Sequence, residues 1–212
     1  IKLCLGREDD FQELCQAMKA TGECPDFITV DSADGGTGAA PQSLIDYVGL
    51  PLRRSLPLVV DKLNEYRLRE RVKVIASGKM INPAEAAWAI CVGADFIVSA
   101  RGFMFALGCI QALQCNKNTC PTGITTHDPE LQRGLVPADK AARVANYAKN
   151  LMHEVGVIAH SCGVREARSL QRKHVYLIDE RGVPEPLSLR YPDKTPRPEY
   201  LIASTADEAL TP

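Results

Sequence analysis

The stretch 72-VKVIASGKMINPAEAAWAICVGADFIVSARG-102 contains a strand, a helix and a second strand in that order. Residues 72–76 and 96–99 are short apolar runs, which is the pattern of strands buried in a sheet. Pro83 suits the first turn of a helix, and we predict that this helix continues through Cys91. A strand, an amphipathic helix and another strand predict two parallel strands joined by a right-handed crossover.

The same alternation of strands and helices is found in the rest of the first half of the chain. We predict further strands at residues 1–5 and 27–30, and further helices at 7–20, 56–68 and 103–114. Gly22 would end the first of these helices. The four βα units cover about 112 residues, whereas a closed (βα)8 barrel needs eight units and about 250 residues. The pattern therefore predicts an α/β protein that is either a small open sheet or half a barrel.

The pattern changes after Cys120. We predict a long helix at residues 137–159, a shorter one at 164–173, and a Pro-rich segment with little regular structure from Val183 onward. We accordingly divide the chain into a βα segment with a cysteine loop, a helical extension and a largely irregular tail, at residues 1–125, 126–175 and 176–212.

The composition is that of an ordinary globular protein, with 45% hydrophobic and 24% charged residues. The net charge of -1 gives no reason to expect nucleic acid as a partner. No run of about 18 apolar residues is present, so no membrane partner is expected either. The chain has no signal peptide and no initiator Met, and we therefore expect it to be a piece of something longer.

Eight cysteines occur in the chain. Without a secretion signal they indicate a reducing compartment rather than disulfide bonds, so we expect a cytoplasmic protein. Five of them stand alone in apolar surroundings, where a thiol commonly acts as a small buried hydrophobic group. The other three, Cys109, Cys115 and Cys120, have the spacing C-x5-C-x4-C and form a separate case.

Three thiols at this spacing fit three interpretations. Structural zinc sites usually have C-x2-4-C pairs and a fourth ligand, and His127 does not fit that role cleanly. Iron–sulfur clusters accept irregular spacing and need thiolates in a compact loop. The thiols would then bind a three-iron cluster, or a four-iron cluster with a distant ligand such as Cys162. Packing without a metal is the third interpretation, because Cys109 falls on the apolar face of the predicted fourth helix.

Loops rich in glycine and polar residues follow the predicted strands at their carboxyl ends, where α/β proteins bind their ligands. Asp34, Gly35 and Gly36 follow the second strand, and these glycines allow either a close approach to a ligand or simply a tight turn. Two further loops, at 77–79 and 101–102, follow consecutive strands. In a barrel, the loops after strands seven and eight often bind a phosphate, which would make this chain begin at strand five.

The segments DGGTGA (34–39), ASGK (76–79), SARGFMFALGC (99–109) and CNKNTCPTG (115–123) occur together in this order. In this combination the chain resembles the FMN-binding domain of glutamate synthase, and more narrowly the single-domain FMN-binding members of that family, over about residues 1–175. The resemblance implies a (βα)8 TIM-type barrel, of which this chain covers about strands 5–8 plus C-terminal helices. It also implies bound FMN and a [3Fe-4S] cluster, with a [4Fe-4S] cluster as the alternative.

The resemblance implies a role for each matched residue. Lys2 corresponds to a lysine near the flavin pyrimidine ring and the substrate, although a solvated lysine at a strand end is the alternative. Asp34 corresponds to a residue at the catalytic position beneath the flavin. The other matched residues fall into flavin-binding positions (Gly35, Gly36, Ser77, Gly78, Lys79, Arg101 and Gly102) and cluster ligands (Cys109, Cys115 and Cys120).

The implied reaction is the reductive formation of glutamate from 2-oxoglutarate and glutamine-derived ammonia, by way of 2-iminoglutarate and reduced FMN. The implied partners are ferredoxin or an NAD(P)H-oxidising subunit, a glutaminase domain or subunit, and the missing N-terminal half-barrel. Three other interpretations remain open. They are an iron–sulfur electron-transfer or scaffold subunit, a structural domain that has lost its cofactors, and a flavin oxidoreductase acting on another amino acid.

Overall fold

The computed structural model describes residues 1–34, 41–44 and 46–192. Four strands form one parallel sheet in the order of the sequence, namely β1 (Lys2–Leu3), β2 (Phe27–Asp31), β3 (Lys73–Ser77) and β4 (Phe96–Val98). Each strand lies within about two residues of its predicted position. The α/β class with a parallel sheet is therefore confirmed, and each parallel pair requires a crossover connection.

Three helices connect successive strands: α1 (Glu8–Thr21), α2 (Leu52–Glu65) and α3 (Pro83–Val92). α1 ends at Gly22, as predicted, with a left-handed backbone of φ 72°. α3 begins with a capping box in which the side chains of Asn82 and Glu85 each accept a backbone N–H of the other residue. α2 starts four residues before the predicted position 56, and it contains Pro57 in its interior.

The core lies between these helices and one face of the sheet. Ile28, Val30 and Val74 are completely shielded from solvent on that face. They pack with large side chains of the three helices, among them Phe11, Leu56, Leu63 and Trp88. Burying a side chain of this size contributes roughly 1.5–3 kcal/mol relative to leaving it exposed, so this layer supplies much of the stability of the fold.

The opposite face of the sheet carries the side chains that alternate with the buried ones. We call it the open face, and the strand registers assign to it Lys2, Phe27, Thr29, Asp31, Lys73, Ile75, Ser77, Phe96 and Val98. Phe27, Phe96 and Val98 remain 45%, 50% and 42% exposed. Exposed apolar side chains are uncommon on a parallel sheet, because such sheets are usually covered on both faces.

A buried ion pair fixes the start of β4. Arg69 Nη2 lies 2.8 Å from Asp95 Oδ2, and the two side chains are 5% and 2% exposed. The same carboxylate oxygen accepts the Val74 N–H at 2.7 Å, while the guanidinium donates to the carbonyls of Val72 and Gly93. These hydrogen bonds offset the cost of removing two charges from water.

The fourth helix differs from the prediction. α4 runs from Ala100 to Leu107, so it begins three residues and ends seven residues before the limits predicted from the sequence. Gly108 ends it with φ 104°, and Gln111 and Leu113 also have positive φ, which a continued right-handed helix does not allow. Cys109 therefore lies in a loop and not on the apolar face of a helix.

Two helices and two 3-10 turns follow. α5 (Pro129–Gln132) is short, and α6 (Pro137–Ser161) confirms the long helix predicted at 137–159. The prediction of a shorter helix at 164–173 is wrong, because this segment forms 3-10 turns at Ala167–Ser169 and Arg172–His174. None of the helices in the described part of the chain is long and apolar enough to cross a membrane.

The segment predicted to have little regular structure contains a hairpin. β5 (Tyr176–Ile178) pairs with β6 (Pro184–Pro186) in antiparallel fashion, and the short helix α7 (Leu187–Arg190) follows. Leu187 is 1% exposed and belongs to the main core. This anchor explains why the segment is ordered despite its prolines; residues 193–212 lie outside the described part.

Arg172 ties the C-terminal segment to the helices. Its side chain is 2% exposed, and one guanidinium nitrogen lies 2.6 Å from the Asp61 carboxylate in α2. The other two nitrogens donate to the carbonyls of Val92, at the end of α3, and Tyr191, just after α7. One side chain thus joins three separate segments.

Candidate functional site

The carboxyl ends of the four parallel strands meet at one edge of the sheet, and the loops after them form the candidate site. The structure brings seven of the predicted residues to this edge: Lys2, Asp34, Ser77, Gly78, Lys79, Arg101 and Gly102. Gly35 and Gly36 lie outside the described residues, so their predicted role in flavin binding stays a prediction.

Lys2 forms an ion pair on the open face. Its Nζ lies 2.7 Å from Asp31 Oδ2, and Asp31 Oδ1 accepts a hydrogen bond from Ser77 Oγ at 3.0 Å. The Lys2 side chain is 60% exposed, so the pair contributes little to stability. It holds an ammonium group beside Asp31, at the carboxyl end of β2. Asp31 was not predicted as a site residue, although alternation along β2 places it on the same face as Thr29.

The Asp34 carboxylate accepts a hydrogen bond from the start of α2. Its Oδ2 accepts hydrogen bonds from the Leu52 backbone N–H at 2.7 Å and from the Ser32 hydroxyl at 3.0 Å. Leu52 is the first residue of α2, so the carboxylate satisfies a helix donor and lies at the positive end of the helix dipole. These contacts give Asp34 a structural function, and its catalytic role stays a prediction.

The loop after β3 packs closely on the segment after β2. Lys79 has a left-handed backbone with φ 49°, and its Nζ pairs with Asp46 at 3.0 Å. A Cβ at Gly78 would overlap the Ser32 hydroxyl and would lie 3.2 Å from Leu52 Cβ. The close approach of these segments explains the glycine, and it fixes the two loops relative to each other.

The first turn of α4 presents backbone donors at the same edge. The N–H groups of Ala100, Arg101 and Gly102 have no acceptor within the helix, because Phe103 is the first residue whose N–H reaches back to the Ser99 carbonyl. Ser99 occupies the N-cap, but its side chain makes no capping hydrogen bond. Such a helix start suits an anion, phosphate in particular.

Gly102 is buried against α6. A Cβ at this position would lie 2.5 Å from Tyr147 Cζ and 2.6 Å from Ser99 Oγ. The Tyr147 hydroxyl donates to the Ile81 carbonyl at 2.7 Å and lies 2.8 Å from Ser99 Oγ. A residue of α6 therefore joins the loops after β3 and β4. Neither Tyr147 nor Ser99 was predicted as a site residue.

The cysteine loop, residues 108–128, connects α4 to α5 and is held together by its own hydrogen bonds. Asn118, with φ 60°, lies at its centre. The Asn118 carbonyl accepts the Thr126 hydroxyl at 2.7 Å, and its side-chain oxygen accepts the His127 N–H at 2.7 Å. These bonds give the loop a defined shape although it has no helix or strand.

The three predicted cluster ligands all lie in the cysteine loop. Cys109 and Cys115 are half-buried and Cys120 is buried. The Gln111 N–H donates to Cys109 Sγ at 3.4 Å. Within the described residues, no three Cys, His, Asp or Glu side chains are arranged as a metal-binding group, so the assignment of these thiols as cluster ligands stays a prediction.

Cys162, the alternative fourth ligand, lies elsewhere. It follows the last residue of α6 and packs against the second hydrophobic cluster, which includes Ala87 and Leu170. α6 has 25 residues and is therefore roughly 37 Å long. The cysteine loop precedes this helix, whereas Cys162 follows it.

The Cys120 thiol ionises more readily than an ordinary thiol. Burial acts to raise its pKa, but hydrogen bonds from the Thr122 hydroxyl and the Thr125 backbone N–H outweigh burial and lower the pKa to about 6. The Thr122 Oγ1 to Cys120 Sγ distance is 3.4 Å. By contrast, burial raises the pKa of Cys15 in α1 to about 11. The thiolate is the form that binds metals and reacts with electrophiles.

These two thiols are expected to differ in alkylation by iodoacetamide. In metal-free protein, the rate at Cys120 should rise with pH and reach half its maximum near pH 6, while Cys15 should stay unmodified at pH 7. Mass spectrometry of tryptic peptides after timed quenching measures both rates. Thr122→Val should move the Cys120 midpoint upward. A Cys120 midpoint near 9, the ordinary thiol value, would contradict the hydrogen-bond argument.

The same ionisation links pH to stability. Because the pKa of folded Cys120 lies below the ordinary value of 9.0, the unfolded chain binds more protons between pH 6 and pH 9. The contribution of this thiolate is therefore fully present above pH 9 and is lost as the pH falls through 6.

Comparison with known proteins identifies the family of the chain. A family model described as a conserved region in glutamate synthase matches residues 1–165. The glutamate synthase large subunit-like protein YerD of Bacillus subtilis is 43% identical over 182 residues, which are 86% of this chain and 35% of that protein. The archaeal glutamate synthase (NADPH) of Methanocaldococcus jannaschii is 37% identical over 146 residues, 69% of this chain and 29% of that protein.

A longer relative extends the comparison. The glutamate synthase (NADPH) large chain of Azospirillum brasilense is 34% identical over 140 residues, which are 66% of this chain and 9% of that protein. The chain thus spans about a third or less of the length of these curated relatives. On the strength of the matched region, the chain belongs to the glutamate synthase family.

Proposed function

We propose that the chain is part of a glutamate synthase-type oxidoreductase and supplies the half of its catalytic barrel that binds flavin and an iron–sulfur cluster. The proposal rests on the groups that lie at the carboxyl edge of the sheet, in a chain that belongs to this family. The Lys2 ammonium, the loop after β3 and the backbone donors of α4 all lie at that edge. Backbone donors suit a phosphate, and a fixed ammonium suits a negatively charged reduced flavin.

The sheet is proposed to be the second half of a (βα)8 barrel, corresponding to strands 5–8. Burying Phe27, Phe96 and Val98 in a barrel interior would remove the exposed apolar surface of the open face from water. β1 and β4 each have one neighbour, so each offers an edge to a further strand. A cavity of about 370 Å³ beside β4, lined in part by Ile97 and Met152, provides room for additional chain. An N-terminal half-barrel would cover all three features.

Within this scheme the segments 1–125, 126–175 and 176–212 are the half-barrel with its cysteine loop, the helical extension and the tail. The tail includes the β5–β6 hairpin, whose neighbour Leu187 anchors it to the core.

The residues at the strand ends fit FMN. Backbone N–H groups of α4 and of the loop at Gly78 would hold the phosphate, and Lys2 would lie near the pyrimidine part of the ring. When bound, FMN supplies hydride transfer. The chain itself contributes orientation and charge. Asp31 keeps the Lys2 ammonium at the carboxyl end of β2, and Ser77 in turn holds Asp31.

The spacing of three thiols in one loop supports an iron–sulfur cluster as the second cofactor. Cys109, Cys115 and Cys120 would be the ligands of a [3Fe-4S] cluster. A [4Fe-4S] cluster would need a fourth ligand, and Cys162 lies beyond the C-terminal end of α6, away from the cysteine loop. Hydrogen bonds that favour the thiolate at Cys120 match the form that iron requires. When bound, the cluster supplies one-electron transfer. α4, with eight residues and a length of roughly 12 Å, directly links the phosphate-binding turn to the cysteine loop.

The proposed substrates are 2-oxoglutarate and the 2-iminoglutarate formed from it with ammonia. Their carboxylates would bind to cationic side chains at the carboxyl edge, with Arg101 and Lys2 as candidates. The name glutamate synthase (NADPH) of two relatives favours an NADPH-oxidising partner over ferredoxin as the electron source. A glutaminase domain or subunit would supply the ammonia.

The test uses the full-length natural polypeptide that contains residues 1–212, purified anaerobically. Its visible spectrum should contain flavin and iron–sulfur bands, and chemically reduced protein should form glutamate from 2-oxoglutarate and ammonium. Lys2→Met should retain flavin, but its turnover rate should fall by about tenfold or more, because a fixed charge at the reacting group is lost. Lys19→Met, on the outer surface of α1, is the matched control and should be active.

Three results would separate the proposal from its alternatives. Cluster bands without flavin would favour an electron-transfer or scaffold subunit. Flavin with turnover of another amino acid only would favour a related oxidoreductase. Absence of both cofactors from the full-length polypeptide would contradict the proposal.

A further inference from the structure

Tyr147, near the middle of α6, joins the two loops that follow β3 and β4. Its hydroxyl donates to the Ile81 carbonyl at 2.7 Å and lies 2.8 Å from Ser99 Oγ. Ser99 Oγ in turn donates to the Met80 carbonyl. The Tyr147 ring packs edge-to-face on Phe103, with centroids 5.1 Å apart. Through Tyr147, α6 therefore contacts the main chain of the loop after β3, at Ile81, and the side chain of Ser99, which directly follows β4.

These hydrogen bonds change what Ser99 can do. A serine at an N-cap ordinarily accepts the backbone N–H of the second or third helical residue. For α4 those residues are Arg101 and Gly102, and Ser99 makes no such bond. Its hydroxyl proton instead goes to the Met80 carbonyl, and its oxygen lies 2.8 Å from the Tyr147 hydroxyl oxygen. The donors that a serine cap would consume are thus left for another acceptor.

We propose that Tyr147 is a positioning residue for the flavin phosphate. By packing against the Ser99 hydroxyl where it bonds Met80, it keeps this hydroxyl away from the N–H groups of Arg101 and Gly102, and by bonding Ile81 it holds the loop after β3 against the start of α4. This inference rests on the proposed function, because it assigns a role within the flavin site proposed above. Tyr147 touches neither substrate nor flavin in this scheme and acts through Ser99.

The test compares FMN with riboflavin, which lacks the phosphate. In the full-length natural polypeptide, stripped of flavin, dissociation constants for both are measured by flavin fluorescence quenching. Tyr147→Phe keeps the ring and removes the hydroxyl. We expect it to weaken FMN about tenfold, which corresponds to the loss of one hydrogen bond to a charged group, and to leave riboflavin unchanged within about twofold. Tyr176→Phe, at an exposed position in β5, is the matched control and should change neither constant.

A second variant tests the role of Ser99. If a released Ser99 hydroxyl competes with phosphate for the α4 donors, Ser99→Ala in the Tyr147→Phe background should restore much of the lost FMN affinity. Thermal unfolding of each variant shows whether a change reflects loss of the fold.

The outcomes are distinct. A Tyr147→Phe protein with the wild-type ratio of FMN to riboflavin affinity, or with both affinities weakened equally, overturns the inference while the proposed function stands. A wild-type polypeptide that binds no flavin, or shows no preference for FMN, overturns the proposed function and the inference together. A selective loss of FMN affinity that Ser99→Ala reverses supports both.

Discussion

Replacing Cys115 by serine in the full-length natural polypeptide is expected to abolish iron and sulfide binding. Cys115 is the middle thiol of the C-x5-C-x4-C set and lies half-buried in the cysteine loop. A serine hydroxyl does not ionise near neutral pH, so it cannot replace a thiolate in holding iron. Iron and acid-labile sulfide, counted on anaerobically purified protein, should fall to background, and the cluster bands should disappear from the visible spectrum.

Two other cysteines provide matched controls. Cys24 packs at the edge of the main core, and Cys24→Ser should leave iron content unchanged. Cys162 lies beyond the C-terminal end of α6, whereas the cysteine loop precedes this helix, so Cys162→Ser should also leave iron content unchanged. An unchanged iron content in Cys115→Ser would rule out the assignment of this thiol as a ligand.

Gly102→Ala is expected to destabilise the fold by about 3 kcal/mol, which is the upper range for forcing extra atoms into a packed site. The added Cβ would lie 2.5 Å from Tyr147 Cζ and 2.6 Å from Ser99 Oγ, so α6 and the start of α4 would have to separate. Urea unfolding with circular dichroism measures the change. Alanine is preferable to aspartate here, because aspartate would mix this overlap with charge repulsion of a phosphate.

Gly156 provides the control for the same chemical change. It lies inside α6 with open space around the position of a Cβ, so Gly156→Ala should stabilise the protein by about 1 kcal/mol through helix propensity. Combining Gly102→Ala with Tyr147→Ala should cost less than the sum of the single changes, because the overlapping ring is absent. A Gly102→Ala protein within about 0.5 kcal/mol of wild type would show that the packing argument is wrong.

The strands and their order were predictable because local patterns determine them. Apolar runs such as Val72–Ala76, followed by a loop and an amphipathic helix, leave few arrangements other than parallel neighbours joined by crossovers. Gly22 and Pro83 mark helix ends through their own backbone preferences. For the same reason, the pattern could predict that Gly78 and Gly102 lie at the carboxyl edge of the sheet. The assignment of this edge as a flavin site, and the role of Lys2, came from the family resemblance and stay predictions.

Other features depend on contacts that no local pattern shows. The sequence predicted a helix through residue 114, whereas Gly108 ends α4 at once. Asp34 caps α2 only because the fold brings Leu52 to it. The contact between Tyr147 and Ser99 joins residues 48 positions apart. These interactions could not be predicted, since each depends on how distant segments pack.

The buried guanidinium of Arg172 has a consequence for how the protein is made. Its partner Asp61 precedes it by 111 positions, and a ribosome adds roughly 5–20 residues per second. Roughly 5–20 s therefore pass between synthesis of the carboxylate in α2 and synthesis of the arginine that neutralises it. The contact that joins the C-terminal segment to α2 can therefore form only after translation has passed residue 165, where the family match ends.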